Sequence, residues 1–168
     1  MKVFNSLKPG FLDASAAVKL VLREHGSDRL LKYFNPAGSF FITNFCLFET
    51  LGVLKRKMLK KEIVRDHYFK SCFLLLSYVQ GRRLRIDELE ISSYKTFRGA
   101  KKLAEQYSLD LSDALQLVGL KYGKFSRFVQ KSKPVLITAD AALQAAAESE
   151  GLRVWNCEDA ETPPVQWP

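Results

Sequence analysis

Four carboxylates sit where a free charge is poorly accommodated: Asp13, Glu49, Asp113 and Asp140. If Glu49 lies on a helix, its neighbours one turn either way are Phe45, Cys46, Gly52 and Val53, an apolar face. A carboxylate there is costly unless it is protonated, paired with a cation or bound to a metal, or unless it snorkels out from the helix edge. Asp13 follows the apolar Phe11-Leu12 and precedes an Ala-rich helix, so it can point into a ligand crevice or cap that helix. In Leu109-Asp110-Leu111-Ser112-Asp113, either Asp110 or Ser112 can cap the next helix, which leaves Asp113 in its first turn. Asp140 follows a strand and opens a helix, again with capping or function open to it; Thr138 can hydrogen-bond a carboxylate or serve only as a strand former. Oxygen-only donors suit Mg2+ or Mn2+, which polarise a phosphoryl oxygen and make water nucleophilic near neutral pH.

Other chemistries find less support. Cys46, Cys72 and Cys157 are odd in number and far apart, which reads as buried thiols in a reducing compartment rather than a disulfide or zinc framework. His25 and His67 lack a second ligand at metal spacing. There is no GxGxxG or GK[ST] phosphate loop. Ser15, two residues after Asp13, stands where haloacid-dehalogenase-like phosphatases place a second Asp, and the acidic pair of receiver domains is missing. The net charge of +8 favours an anionic partner, nucleic acid first.

The elements that must position these residues follow from hydrophobic period and caps. A strand ends at Asp13 and a helix runs from Ser15 through Glu24. A short helix from Ser27 to Phe34 precedes Pro36-Ala37-Gly38 and a strand at Phe40-Phe41-Ile42. Thr43 or Asn44 caps a helix to Lys57, and Lys61 to Val79 forms its hairpin partner. A strand at Leu84 to Ile86 precedes helices at Ser92 to Tyr107 and Ser112 to Lys121. Pro134 to Thr138 is a strand, followed by an Ala-rich helix to Glu150 with Gly151 at its end and a last strand Arg153 to Trp155. This alternation predicts an α/β fold, a mainly parallel sheet covered on both faces, with ligands at the carboxyl ends of the strands. A single domain over 1–157 and an irregular tail over 158–168 are expected. The N-terminus has no secretion pattern and Phe69 to Val79 is too short to span a bilayer, so a cytoplasmic protein without membrane contact is expected.

Taken in order, the motifs Phe11-Leu12-Asp13-Ala14-Ser15, Phe48-Glu49-Thr50-Leu51, Leu111-Ser112-Asp113-Ala114-Leu115 and Ile137-Thr138-Ala139-Asp140 resemble those of PIN-domain nucleases. Among them the chain is similar to the VapC-type ribonuclease toxins of toxin–antitoxin pairs, over roughly Phe11 to Asn156. The resemblance implies a PIN-like three-layer α/β/α sandwich and a metal-dependent endoribonuclease. Asp13, Glu49, Asp113 and Asp140 would be the catalytic and metal-holding residues, Ser15 and Thr138 would support them, and Mg2+ or Mn2+ would be the cofactor. It implies RNA as substrate, with a cognate antitoxin protein and a second copy of the chain as partners. The stretch from Lys121 to Lys133 is longer and more basic than the family pattern.

Two basic stretches are candidate RNA contacts. Lys55, Arg56, Lys57, Lys60, Lys61 and Arg65 crowd one helix end, with Lys55 and Arg56 the chosen contacts; a solvated charged face is the plainer reading. Lys121, Lys124, Arg127, Lys131 and Lys133 interleave with Tyr122, Phe125 and Phe128, which suits single-stranded RNA through stacking plus charge, with Lys124 and Arg127 the chosen contacts. The competing functional readings are a non-catalytic PIN-like RNA-binding or protein-interaction module and a stand-alone RNA-processing nuclease.

Overall fold

The computed structural model describes residues 9–34, 39–127 and 133–159. The chain runs β1 (Gly10–Leu12), α1 (Ala14–Val21), α2 (Ser27–Tyr33), β2 (Phe40–Thr43), α3 (Asn44–Leu59), α4 (Arg65–Gln80), β3 (Leu84–Asp87), α5 (Tyr94–Tyr107) and α6 (Leu111–Tyr122). A 3-10 turn (Lys124–Arg127), β4 (Val135–Thr138), α7 (Ala141–Ser149) and β5 (Arg153–Asn156) complete it. The five strands form one sheet in the order β3-β2-β1-β4-β5, and every neighbouring pair is parallel. Parallel strands need crossovers, and the helices supply them on both faces, which is why β1 and β4 are buried at every position.

Alternate side chains go to opposite faces. Leu12, Ile42, Leu84, Ile137 and Trp155 pack with Ala16, Ala17, Leu30, Leu47 and Leu75 from α1 to α4. Phe11, Leu136 and Val154 pack with Leu103, Leu117, Leu143 and Ala147 from α5 to α7. The architecture is therefore a three-layer α/β/α sandwich, as the alternation of elements predicts, with a sheet that is wholly rather than mainly parallel. Gly10 sits at the centre of the sheet, opposite Phe40 and Val135. A Cβ there would lie 2.7 Å from the Phe40 ring and 2.9 Å from Ile137.

The chain leaves β1 for β2 and β3, then returns to the other side of β1 for β4 and β5. The direction of winding thus reverses between β1 and β4, and the crevice at their carboxyl ends opens there. Those ends carry Asp13 on one strand and Thr138 with Asp140 on the other.

Most helix limits fall within two residues of expectation, and two differ by three or more. Helix α1 stops at Val21 instead of Glu24, because Leu22 turns extended and Ser27 Oγ ties the bend, donating to Leu22 O (2.9 Å) and accepting from Glu24 N (2.9 Å). Gly26 follows at φ 82°, and a Cβ on it would meet Cys157 O at 2.7 Å. Helix α4 begins at Arg65 instead of Lys61, since Lys61 takes a left-handed φ of 63° and the chain turns before Val64. Of the three thiols, Cys46 and Cys157 are buried and Cys72 only half-buried. Glu158 extends the structure past the expected boundary at 157, its carboxylate 2.6 Å from the buried Lys19 Nζ. Pro36-Ala37-Gly38, Phe128, Lys131 and the tail beyond Asp159 lie outside the described residues. Among the described residues no helix is long and apolar enough to cross a membrane.

Candidate carboxylate site

Asp13 is buried at 3% exposure and caps α1, with Oδ1 accepting from Ala16 N at 2.8 Å. Ser15 Oγ lies 2.9 and 2.8 Å from its two oxygens, and Thr138 Oγ1 donates to Oδ2 at 2.7 Å. Each hydroxyl has one proton and directs it to Asp13, so each is left to accept from backbone. Ser15 Oγ accepts from Ala139 N at 2.8 Å, and Thr138 Oγ1 from Asp140 N at 2.9 Å. The turns after β1 and β4 are thereby joined into one network at the reversal of winding. Capping and a place in the crevice, alternatives in the sequence, coexist in Asp13.

Asp140 also caps a helix, its Oδ1 accepting from Ala142 N (2.7 Å) and Leu143 N (2.9 Å). Its other oxygen has no hydrogen bond among the described residues. On α6 the cap is Asp110, whose Oδ1 accepts from Asp113 N at 2.9 Å, which leaves the half-buried Asp113 carboxyl free of capping. Glu49 is half-buried on α3 and accepts a hydrogen bond from Ser112 Oγ, one residue before Asp113. Among the described residues no lysine or arginine pairs with Glu49.

The charges act on one another. Burial pushes the Asp113 carboxyl up to about 7, and the charges of Asp110, Asp13, Asp140 and Glu49 push in the same direction. Burial raises Asp13 to about 6 against the lowering effect of its bonds to Ala16 N, Thr138 and Ser15, with the Asp140 charge adding to the rise. The Cys46 thiol is raised first by burial and further by Asp13, Glu49 and Asp113. All four predicted acids therefore share one electrostatic neighbourhood at the carboxyl edge of the sheet. Among the described residues, however, no three His, Cys, Asp or Glu side chains form a ready metal-holding group as they stand.

Gln116 is the residue that sequence reasoning missed. It is buried on α6, one turn beyond Asp113, and its Nε2 donates to Leu12 O at 3.0 Å. Its Oε1 accepts from Thr43 Oγ1 (3.2 Å) and Cys46 Sγ (3.0 Å). One amide thus ties α6 to the peptide before Asp13 and to the start of the Glu49 helix. The available signal was a single polar residue within the apolar run Ala114 to Leu120.

The basic candidates fall away from the acids. Helices α3 and α6 both start at the carboxyl edge and run from it, so Lys55 and Arg56 lie about 10 Å along the axis past Glu49. Both are exposed, with Lys55 Nζ 5.5 Å over the Tyr68 ring. Arg127 is exposed beyond the far end of α6, in the 3-10 turn that also holds Lys124, whose side chain lies outside the described part. Lys57 is engaged by Glu24 (2.7 Å) and Glu62 (3.3 Å), and Lys121 by Glu150, so neither is a free surface cation.

No family model matches this chain, and no curated protein matches it. Among solved structures it is similar to the crystal structure of PAE2754 from Pyrobaculum aerophilum. The TM-score is 0.57 at 17% identity, over 88% of this chain and 83% of that one. At that identity the likeness is one of fold, and it agrees with the three-layer α/β/α arrangement.

Proposed function

We propose that this chain is a PIN-type, metal-dependent endoribonuclease that hydrolyses RNA phosphodiester bonds, acting as the toxin of a type II toxin–antitoxin pair. The observation that carries the reading is Asp113: burial and four other carboxylate charges push its carboxyl to about 7, and among the described residues no lysine or arginine forms an ion pair with it. Such crowding is relieved by a hard cation. Asp13, Glu49, Asp113 and Asp140 would hold Mg2+ or Mn2+, and an all-oxygen donor set fits either ion. When bound, the metal supplies charge for a phosphoryl oxygen and activates a water. Ser15 and Thr138 hold the Asp13 carboxylate in one orientation, Ser112 holds Glu49, and Asp140 keeps one oxygen without a hydrogen bond among the described residues. Lys55, Arg56, Lys124 and Arg127 would contact the phosphates of the bound strand. An antitoxin or a second copy would need apolar surface to cover, and α3 with α4 leaves Phe48, Phe69, Phe73 and Leu76 exposed.

The open arrangement of the acids, with no ready metal-holding group among the described residues, favours a second reading as a non-catalytic RNA-binding or protein-interaction module. Incubating purified protein with a labelled single-stranded RNA and Mn2+ separates the two. Wild type should cut, EDTA should stop it, and Asp13→Asn should slow it by at least about a hundredfold, the worth of several kcal/mol of charge stabilisation. Equal cutting by Asp13→Asn would mean that the acids are not the catalytic centre.

A further inference from the structure

On the α5–α6 side of the molecule, away from the carboxylates, lies a groove of about 1000 Å³. Tyr94, Phe97 and Tyr122 line it at 76%, 50% and 60% exposure, three large rings with half or more of their surface in solvent. Interleaved with them are Lys95, Arg98 and Lys102. Among the described residues none of these three cations has a carboxylate partner; the one acid of the groove, Glu105, pairs with Lys101 at 3.6 Å. On α5, Tyr94, Phe97 and Lys101 follow one another at helical spacing, as do Lys95, Arg98 and Lys102 beside them, so rings and cations form two adjacent rows along the helix, turned away from Ala100 and Leu103 in the core.

Rings and arginines also line protein interfaces, so it is the sign of the unpaired charge that decides between a protein partner and a polyanion. Here the uncompensated charge has one sign and the apolar surface is aromatic, which is the combination that takes a polyanion carrying flat rings. Duplex recognition uses phosphate contacts or base edges and needs no exposed rings, whereas unpaired bases stack on them. We propose that the α5–α6 groove binds single-stranded RNA, with bases stacked on Tyr94, Phe97 and Tyr122 and phosphates held by Lys95, Arg98 and Lys102. The proposal deepens the nuclease reading by giving the strand a path distinct from the cutting site, and rests on that reading only for the identity of the strand as substrate.

Binding is measured apart from cleavage by fluorescence anisotropy of a labelled single-stranded oligoribonucleotide, in EDTA, over a salt series. Tyr94→Ala with Phe97→Ala should weaken binding at least about fivefold per lost stack. Lys95→Ala with Lys102→Ala should reduce the slope of log affinity against log salt by about 0.7 per lost phosphate contact. All four side chains are exposed, and melting curves matching wild type establish that the variants fold. Affinity and salt slope unchanged in both variants would overturn the proposal and leave the groove to an acidic protein partner. Absence of RNA binding by wild type would overturn it as well. Weakened binding in the variants, with no Mn2+-dependent cutting by wild type, would uphold the groove while removing the nuclease reading; cutting with unchanged variants would do the reverse.

Discussion

Asp13 is subject to opposed influences. Its bonds to Ala16 N, Ser15 and Thr138 favour the anion, burial favours the neutral acid, and burial prevails, so the carboxyl rises to about 6. A carboxyl whose folded pKa lies above its unfolded value holds its proton more tightly in the folded state. Its contribution to stability is complete below the unfolded value of 3.8 and is lost as pH rises through about 6 for Asp13 and about 7 for Asp113. In EDTA, therefore, the melting temperature should climb as pH is lowered from 8 to 5. Mn2+ should raise it at pH 8 and flatten the profile, and Asp13→Asn should lose part of both effects. Asp13→Ala should be less stable than Asp13→Asn by about 1 kcal/mol, since Asn keeps the helix cap and Ala does not. A flat metal-free profile, or a Mn2+ shift of equal size in Asp13→Asn, would count against a charged cluster at this position.

Helix α6 carries the cap Asp110, the crowded Asp113 and the anchor Gln116 within two turns, so its seating on β1 decides how near Asp113 stands to Asp13. Gln116→Leu fits the space but leaves Leu12 O, Thr43 Oγ1 and Cys46 Sγ without their partner. The expected loss is about 1–3 kcal/mol in urea unfolding, or roughly 2–4 °C in melting temperature for each kcal/mol at this chain length. A loss below about 0.5 kcal/mol would mean that the amide is not the tie between α6 and the sheet. Gly10→Ala tests the sheet itself: its new methyl runs into Phe40 and Ile137, with an expected cost of about 1–3 kcal/mol. The elements themselves were largely legible, because period and caps are local. The two misplaced helix limits, at Val21 and Arg65, come from Ser27 reaching back to Leu22 and from the left-handed Lys61, neither of which a run of helix-compatible residues announces.

Across the molecule, a charge of +8 sets long-range attraction for RNA but does not say where the strand lies. Three surfaces compete: Lys55 with Arg56, the turn holding Lys124 and Arg127, and the α5–α6 groove. Paired alanine substitutions should divide the salt dependence among them, each genuine phosphate contact accounting for about 0.7 of the slope. Lys124→Ala with Arg127→Ala is expected to weaken binding and flatten its salt dependence; unchanged anisotropy curves would remove that turn from the path. Lys57 and Lys121 belong to none of the three, because Glu24, Glu62 and Glu150 already hold them.

Strand and helix identity, the apolar runs within β1 and β4, and the placing of Asp13 and Asp140 just after strands were all readable from residue order, since each depends on neighbours a few positions apart. The winding order of the sheet was not, nor was the bond from Thr138 to Asp13 across 125 positions, the hold of Ser112 on Glu49, or the role of Gln116. Those depend on which buried polar groups meet once the core has closed. Desolvation then makes an acid's protonation, and a cation's freedom to bind RNA, a property of its distant neighbours rather than of its own segment.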